Sequence, residues 1–238
     1  MLRLILCGYN YSSYVHRTIN SILNQNYGDW KAYIRDDCSN DGSQLYLQDL
    51  IKNDKRFNLI SNTKKLYVPG NYYETIQNPE IKDDDVCVSI DLDDWLPEND
   101  KSVFDRIVNY YKNNILMTFG QFLIYNNKDS IIKGFSKKPQ PFNQLRKLSW
   151  SSSHLRTFKA FLFRKIDKQK LIDPVTNYYW RMAGDAAIYT PMIEMAGEDK
   201  ILYTEDINYI YNLETNLNDH DVNVSLQHDC FKRIMELK

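Results

Sequence analysis

Val86-Cys87-Val88-Ser89-Ile90-Asp91-Leu92-Asp93-Asp94-Trp95-Leu96 reads as a short β strand running into a cluster of acids. Three carboxylates fall between Asp91 and Asp94, and Pro97-Glu98-Asn99-Asp100 follows as a turn. A strand that ends in carboxylates offers hard oxygen ligands at its carboxyl edge. Such ligands suit Mg²⁺ or Mn²⁺ shared with a phosphate-bearing molecule. The same residues also suit a polar strand-to-helix turn in which one Asp caps the next helix.

The chain on the N-terminal side decides between these readings. Leu2 to Cys7 is apolar except for one Arg, the pattern of a strand buried on both faces. Gly8-Tyr9-Asn10 makes a turn, and Ser12 or Ser13 can cap a helix that carries Val15, Ile19, Ile22 and Leu23 at helical spacing. Trp30 to Ile34 predicts a second strand, running into Asp36-Asp37-Cys38-Ser39-Asn40-Asp41-Gly42-Ser43. A helix with Leu45, Leu47 and Leu50 follows, then a strand from Phe57 to Ile60, a loop with Asn62, Lys64 and Lys65, and a short helix near Tyr72 to Ile76. Strands alternating with helices predict an α/β fold with a mainly parallel central sheet and helices on both faces. Ligands of such sheets bind beyond the carboxyl ends of the strands. Tyr9, Asp37 and Asp91 to Asp94 all stand at those ends, which favours the metal reading.

Composition bounds the rest. The 238 residues fit one domain, with 1–100 as its ligand-binding half and 101–238 as a second, less regular half. The formal charge of −1 gives no mark of a nucleic-acid binder. Cys7, Cys38, Cys87 and Cys230 match no zinc spacing and read as free thiols in a reducing compartment. No apolar run reaches the length of a membrane span or a signal peptide, so the expectation is a cytoplasmic protein. Eighteen tyrosines, with plentiful Asn, Ile and Lys, suit an AT-rich genome such as that of a large DNA virus, and host cytoplasm in that case.

Asp100 to Tyr111 predicts a helix with Val103, Ile107 and Tyr111 inward. Leu116–Phe119 and Phe122–Tyr125 predict a pair of strands, and Lys133 to Leu148 a long basic loop. Gly184 to Ala196 reads as a helix kinked by Pro191. Asn208 to Asn212 reads as a short strand, and Asn218-Asp219 as the cap of a last helix with Val222, Leu226 and Ile234 inward.

Three ordered motifs resemble glycosyltransferase family 2 of the GT-A fold, including its small viral and bacterial members. They are the first turn and helix ending in Leu23, Gln25 and Tyr27, the run Asp36 to Ser43, and the Asp-x-Asp-Asp from Asp91 to Asp94. A looser match is Gly184 to Gly197, an acidic helix start followed by Ala-Gly, without the Glu that precedes it in the family.

The resemblance implies a metal-dependent transfer of a hexose from a UDP-sugar, UDP-glucose or UDP-galactose, to a hydroxyl of a glycan or glycosylated protein. Tyr9 would wall the base, and Asp37 would accept hydrogen bonds from base or ribose. Asp91 would meet ribose or a metal-bound water, Asp93 the Mn²⁺ or Mg²⁺ itself, and Asp94 would fix the geometry. The family often carries an Arg-Asn pair after the third strand. Gly70-Asn71 stands there instead, leaving Asn62 and Lys64 or Lys65 to make that contact. Asp185 would be the general base of an inverting enzyme, or an acceptor-binding group in a retaining one. Arg156 would hold the diphosphate as a fork of donors. His154 would bind acceptor or diphosphate, and His220 would complete the metal site. His16 and His228 read as surface residues.

Two other function classes compete. A nucleotidyltransferase needs a Gly-rich phosphate loop after the first strand, which Gly8-Tyr9-Asn10 lacks. A non-catalytic glycan- or sugar-nucleotide-binding module could dispense with Asp91–Asp94 and Asp185, which are both present.

Overall fold

The computed structural model describes residues 1–126, 132–215 and 223–237. Four strands, β1 (Leu2–Gly8), β2 (Trp30–Asp36), β3 (Phe57–Ser61) and β4 (Val86–Asp91), alternate with α1 (Val15–Leu23), α2 (Ser43–Ile51) and α3 (Tyr67–Ile76). Then come α4 (Val103–Tyr110), β5 (Met117–Tyr125), β6 (Ile132–Gly134), β7 (Arg156–Lys159) and α5 (Ala160–Arg164). The small hairpin β8 (Ile172–Asp173) and β9 (Tyr178–Tyr179) precedes α6 (Gly184–Ala196), β10 (Ile201–Asn212) and α7 (Val224–Glu236).

The main sheet has the order β10-β5-β7-β4-β1-β2-β3, with β6 pairing on β5. Pairings along β4-β1-β2-β3 and between β10 and β5 are parallel, whereas β7 runs antiparallel between β4 and β5. Side chains alternate across β1. Leu2, Leu4 and Leu6 pack with α1, α2 and α4 on one face, while Ile5 and Cys7 pack with α3, α5 and α6 on the other. Arg3 interrupts this apolar strand without an uncompensated charge. Its guanidinium donates to Asp85 at 2.7 Å, to the Tyr33 hydroxyl at 3.1 Å and to the Glu80 carbonyl at 2.6 Å.

Several local expectations are corrected. The cap position of α1 is Tyr14, which makes no side-chain cap bond, and Ser12 is spent on Asp41 through both its N–H and its side chain. On α2 only Leu47 of the three leucines is fully buried, and Leu45 is 72% exposed. Helix α3 starts at Tyr67 rather than near Tyr72, since Pro69 sits in a first turn where its missing N–H costs nothing. The two strands expected around Gly120 are one, β5. A side chain at Gly120 would crowd Asn208, the Asp206 carbonyl and the Leu155 amide, so glycine there marks a close approach rather than a turn. Strand β10 extends back to Ile201, across register shifts between Tyr203 and Tyr209 that break its alternation. The long loop opens with β6 and holds a 3₁₀ turn over Phe142–Lys147. Helix α6 continues through Pro191. Asn223 caps α7 by accepting from the Leu226 N–H at 2.9 Å, and Ile234 is buried beneath it. Asn218, Asp219, Val222 and His220 lie outside the described residues.

The start of α6 leans directly on α3. A Cβ at Gly184 would stand 2.9 Å from Pro69 Cδ and 3.1 Å from Val68 Cβ. Gly184→Ala is therefore expected to cost about 1–3 kcal/mol. Thermal denaturation should show this as a fall in Tm of roughly 2–10 °C. An unchanged Tm would mean that the two helices can slide apart.

Candidate active site

The loops after β1 and β2 are laced together by the motif residues themselves. The Tyr11 hydroxyl donates to Asp36 at 2.8 Å and the Tyr11 N–H to Ser43 Oγ at 2.8 Å. Asn10 donates through its backbone to Ser39 Oγ at 2.9 Å and accepts from the Asn40 N–H at 2.9 Å. Gln25 ties the end of α1 to the start of α4, donating to the Asp100 carbonyl at 2.9 Å and accepting from the Phe104 N–H at 3.3 Å. Most of the motif is thus scaffold.

Asp37 is 5% exposed and binds the start of α3. Its carboxylate accepts from the Leu66 N–H at 2.8 Å, the Tyr67 N–H at 3.0 Å and Asn62 Nδ2 at 2.7 Å. Asn62 also donates to Asn71 at 2.7 Å, so Asn62 and Asn71 act as a brace inside the protein. The lysine that turns toward this corner is Lys65, whose Nζ lies 2.8 Å from the Tyr9 ring centroid. Burial lowers the Lys65 pKa, against the pull of Asp37. Lys64 is exposed, with its Nζ 5.8 Å from the Tyr178 ring centroid.

The acidic stretch folds as a turn. The Asp94 N–H donates to the Asp91 carbonyl at 3.2 Å, the i to i+3 bond that brings the ends of a turn together. Thr18 Oγ1 is 3.0 Å from the Leu92 carbonyl and 2.7 Å from that of Asp94. From β10, Asn212 donates its N–H to Asp94 Oδ1 at 2.8 Å and its amide to the Asp93 carbonyl at 3.1 Å. The Tyr209 hydroxyl accepts from the Asp91 N–H at 2.9 Å.

Asp91 and Asp94 consequently meet, and His154 joins them. One ligand atom from each of the three lies within 4.8 Å of the other two, the one such cluster among the described residues. The Asp93 carboxylate is outside that trio. Strand alternation would have paired Asp91 with Asp93, but the strand ends at Asp91 and the turn pairs Asp91 with Asp94. Asp94 Oδ2 and His154 Nδ1 are buried and have no hydrogen-bond partner. Orphaned buried polar atoms of this kind fit a cation. Burial and the neighbouring Arg156 hold the His154 pKa well below its usual value, so the imidazole is neutral. Burial, then Asp93 and Asp91, push Asp94 well up, and burial lifts Asp93 to about 6. The Cys7 thiol, beside Asp91 in the sheet register, is raised by burial and then by Asp91, Asp37, Asp185 and Asp93.

Arg156 at the start of β7 is 3% exposed and donates to Asp185 in the first turn of α6 at 2.7 Å. Burial would lower its pKa, but Asp185, Tyr189 and Asp91 outweigh this and raise it. Its guanidinium lies 5.0 Å from the Tyr189 ring centroid, and Tyr189 joins Tyr72 and Ser89 in a buried hydroxyl chain. Two surface clefts, about 430 Å³ beside α2 and β3 and about 280 Å³ along Phe142–Lys147, lie away from these groups.

The family profile described as Glycosyl transferase family 2 matches residues 4–170. This chain belongs to that family. Two curated relatives are each 35% identical over short segments: an uncharacterized glycosyltransferase of Haemophilus influenzae over 66 residues, and TuaG of Bacillus subtilis, described as a teichuronic acid biosynthesis glycosyltransferase, over 60. Those segments cover 28% and 25% of this chain and only 20% and 24% of the relatives. Among solved structures, residues 1–349 of S. aureus TarS with UDP-GlcNAc align over 98% of this chain and 65% of that one, at 12% identity and a TM-score of 0.67. GalNAc-T7 with UDP, GalNAc and Mn²⁺ aligns over 99% and 47%, at 13% identity and 0.67. The mannosyltransferase PcManGT of Pyrobaculum calidifontis with GDP-Man and Mn²⁺ aligns over 88% and 56%, at 13% identity and 0.59. The fold is GT-A. No helix among the described residues is long and apolar enough to cross a membrane.

The acids carry a stability signature. A carboxyl whose pKa rises on folding keeps its proton in the folded state while the unfolded chain releases it. Metal-free stability should therefore fall as pH rises from about 4 to about 6. Asp94→Asn removes a buried charge and keeps an acceptor for the Asn212 N–H. It should raise the metal-free Tm near pH 7.5 by a few degrees, about 1–2 kcal/mol, and flatten the decline. A lowered Tm would show that the ionised form is already compensated.

Proposed function

We propose that this chain, working as one unit over residues 1–238, transfers a hexose from a UDP-linked donor to a hydroxyl of a glycan or glycosylated protein. The observation that carries the reading is the convergence, at the carboxyl edge of the sheet, of Asp91 and Asp94 with the Arg156–Asp185 pair, with His154 next to both. The UDP complexes of TarS and GalNAc-T7 support a uridine donor on the shared fold, and the Mn²⁺ complexes support a divalent ion.

Asp91 and Asp94 would hold a divalent cation, which would supply Lewis-acid stabilisation of the departing diphosphate. Tyr9, backed by Lys65, offers a flat face for the base, and Asp37 keeps acceptor capacity beside it. Arg156 holds the Asp185 carboxylate in one orientation at a helix start, where the N-terminal dipole favours the anion. The acceptor O–H attacks the anomeric carbon, the bond from that carbon to the diphosphate oxygen breaks, and the hydroxyl proton passes to Asp185. This order inverts the anomeric configuration.

The test is UDP release from a panel of UDP-sugars with Mn²⁺, with and without glycan acceptors. Asp185→Asn should lose transfer by about 10²–10⁴-fold, while Mn²⁺-dependent UDP binding by calorimetry persists. No turnover together with no Mn²⁺-dependent UDP binding would refute the assignment.

A further inference from the structure

We infer that His154 is a ligand of the metal and makes the site selective for a first-row transition ion over Mg²⁺. The inference rests on the metal reading of Asp91 and Asp94 proposed above. His154 comes from the segment before β7, far in sequence from the acids, and is 6% exposed. Its ring stacks on two tyrosines of β10. Tyr209 stacks at 4.6 Å with planes 5° apart and Tyr211 at 5.3 Å with planes 19° apart, while Phe122 meets the ring edge-on at 6.0 Å. Packing therefore fixes the ring plane and leaves its nitrogens to be satisfied in that plane.

Neither nitrogen is well satisfied by protein. Nδ1 has no partner. Nε2 stands 3.5 Å from Arg156 Nη2, beyond an ordinary N–H hydrogen bond, and that same Nη2 is already 2.7 Å from Asp185. A ring buried this deeply, stacked on two tyrosines and sharing a 4.8 Å cluster with two carboxylates, is placed as a ligand would be. Asp94 of the same cluster is 1% exposed, and its Oδ2 has no hydrogen-bond partner.

The ligand set then sets the ion. Mg²⁺ demands oxygen ligands in near-ideal octahedral geometry and sheds water reluctantly. An imidazole nitrogen adds little for Mg²⁺, but it strengthens binding of transition ions, which rank upward from Mn²⁺. Two carboxylates and one imidazole leave room for diphosphate oxygens to complete the shell. The nitrogen, rather than the acids, is the selective element.

Pulsed EPR on the full chain with Mn²⁺ and UDP tests this without reference to turnover. Nitrogen modulation is expected on the Mn²⁺ signal, and its frequencies should change when the protein is labelled with ¹⁵N-histidine. This measurement needs no substitution and so does not depend on a variant that folds. In His154→Gln the modulation should vanish and Mn²⁺ affinity should fall by about tenfold or more, whereas Mg²⁺ affinity, read by competition, changes less. Mn²⁺ bound by the wild type without nitrogen modulation would overturn the inference and leave the metal reading standing. Equal losses of Mn²⁺ and Mg²⁺ affinity in the variant would overturn the selectivity. Absence of any Mn²⁺ binding by the wild type with UDP would overturn the metal reading itself.

Discussion

The hydrogen bond from the Asp94 N–H to the Asp91 carbonyl is the constraint on which the site depends. It ends β4 and folds the acids back, so that the first and last carboxylates of the stretch face one another. The turn does not hold this shape unaided. Thr18 on α1 grips two of its carbonyls, and Asn212 on β10 binds Asp94 and the Asp93 carbonyl. Elements from both halves of the chain therefore meet on one four-residue turn. That is why the nucleotide-side strands and the later strand β10 work as a unit.

The turn also explains the energetics. Buried carboxylates without partners cost stability, because burial disfavours the charged form and neighbouring acids repel. Asp94 keeps Oδ2 unpartnered at 1% exposure, and Asp93 is lifted to about 6. A fold would gain stability by neutralising these groups, unless a bound cation did so instead. Arg156 does not fill that role, since the carboxylate it pairs with is Asp185. His154 links the two groups, since its Nε2 is 3.5 Å from Arg156 Nη2 and its ring shares the cluster of Asp91 and Asp94.

Much of this was legible in the sequence. The buried strands β1, β2 and β4, the alternation with helices, and the placing of Tyr9, Asp37 and Asp91 at the strand ends follow from apolar runs and turn residues. What escaped reading lay in long-range geometry. Strand periodicity favours Asp91 with Asp93, and only the turn shows Asp94 in that place. His154 meets the acids because β7 runs antiparallel beside β4, and nothing local in Ser152-Ser153-His154 encodes that direction. The pair of strands expected around Gly120 is one strand because the glycine there serves a close approach, which carries the same letter as a glycine required by φ. Asn62 and Asp37 looked like ligands, yet most of their hydrogen bonds are spent on each other and on the start of α3.

The central claim is that Asp91 and Asp94 hold the cation that meets the donor diphosphate. A crystal grown with UDP and Mn²⁺, measured for anomalous scattering at the manganese edge, addresses it directly. The account predicts one manganese peak within coordination distance of both carboxylates, with diphosphate oxygens on its open side. UDP bound with no manganese peak there, or a peak coordinated by other residues, would contradict it.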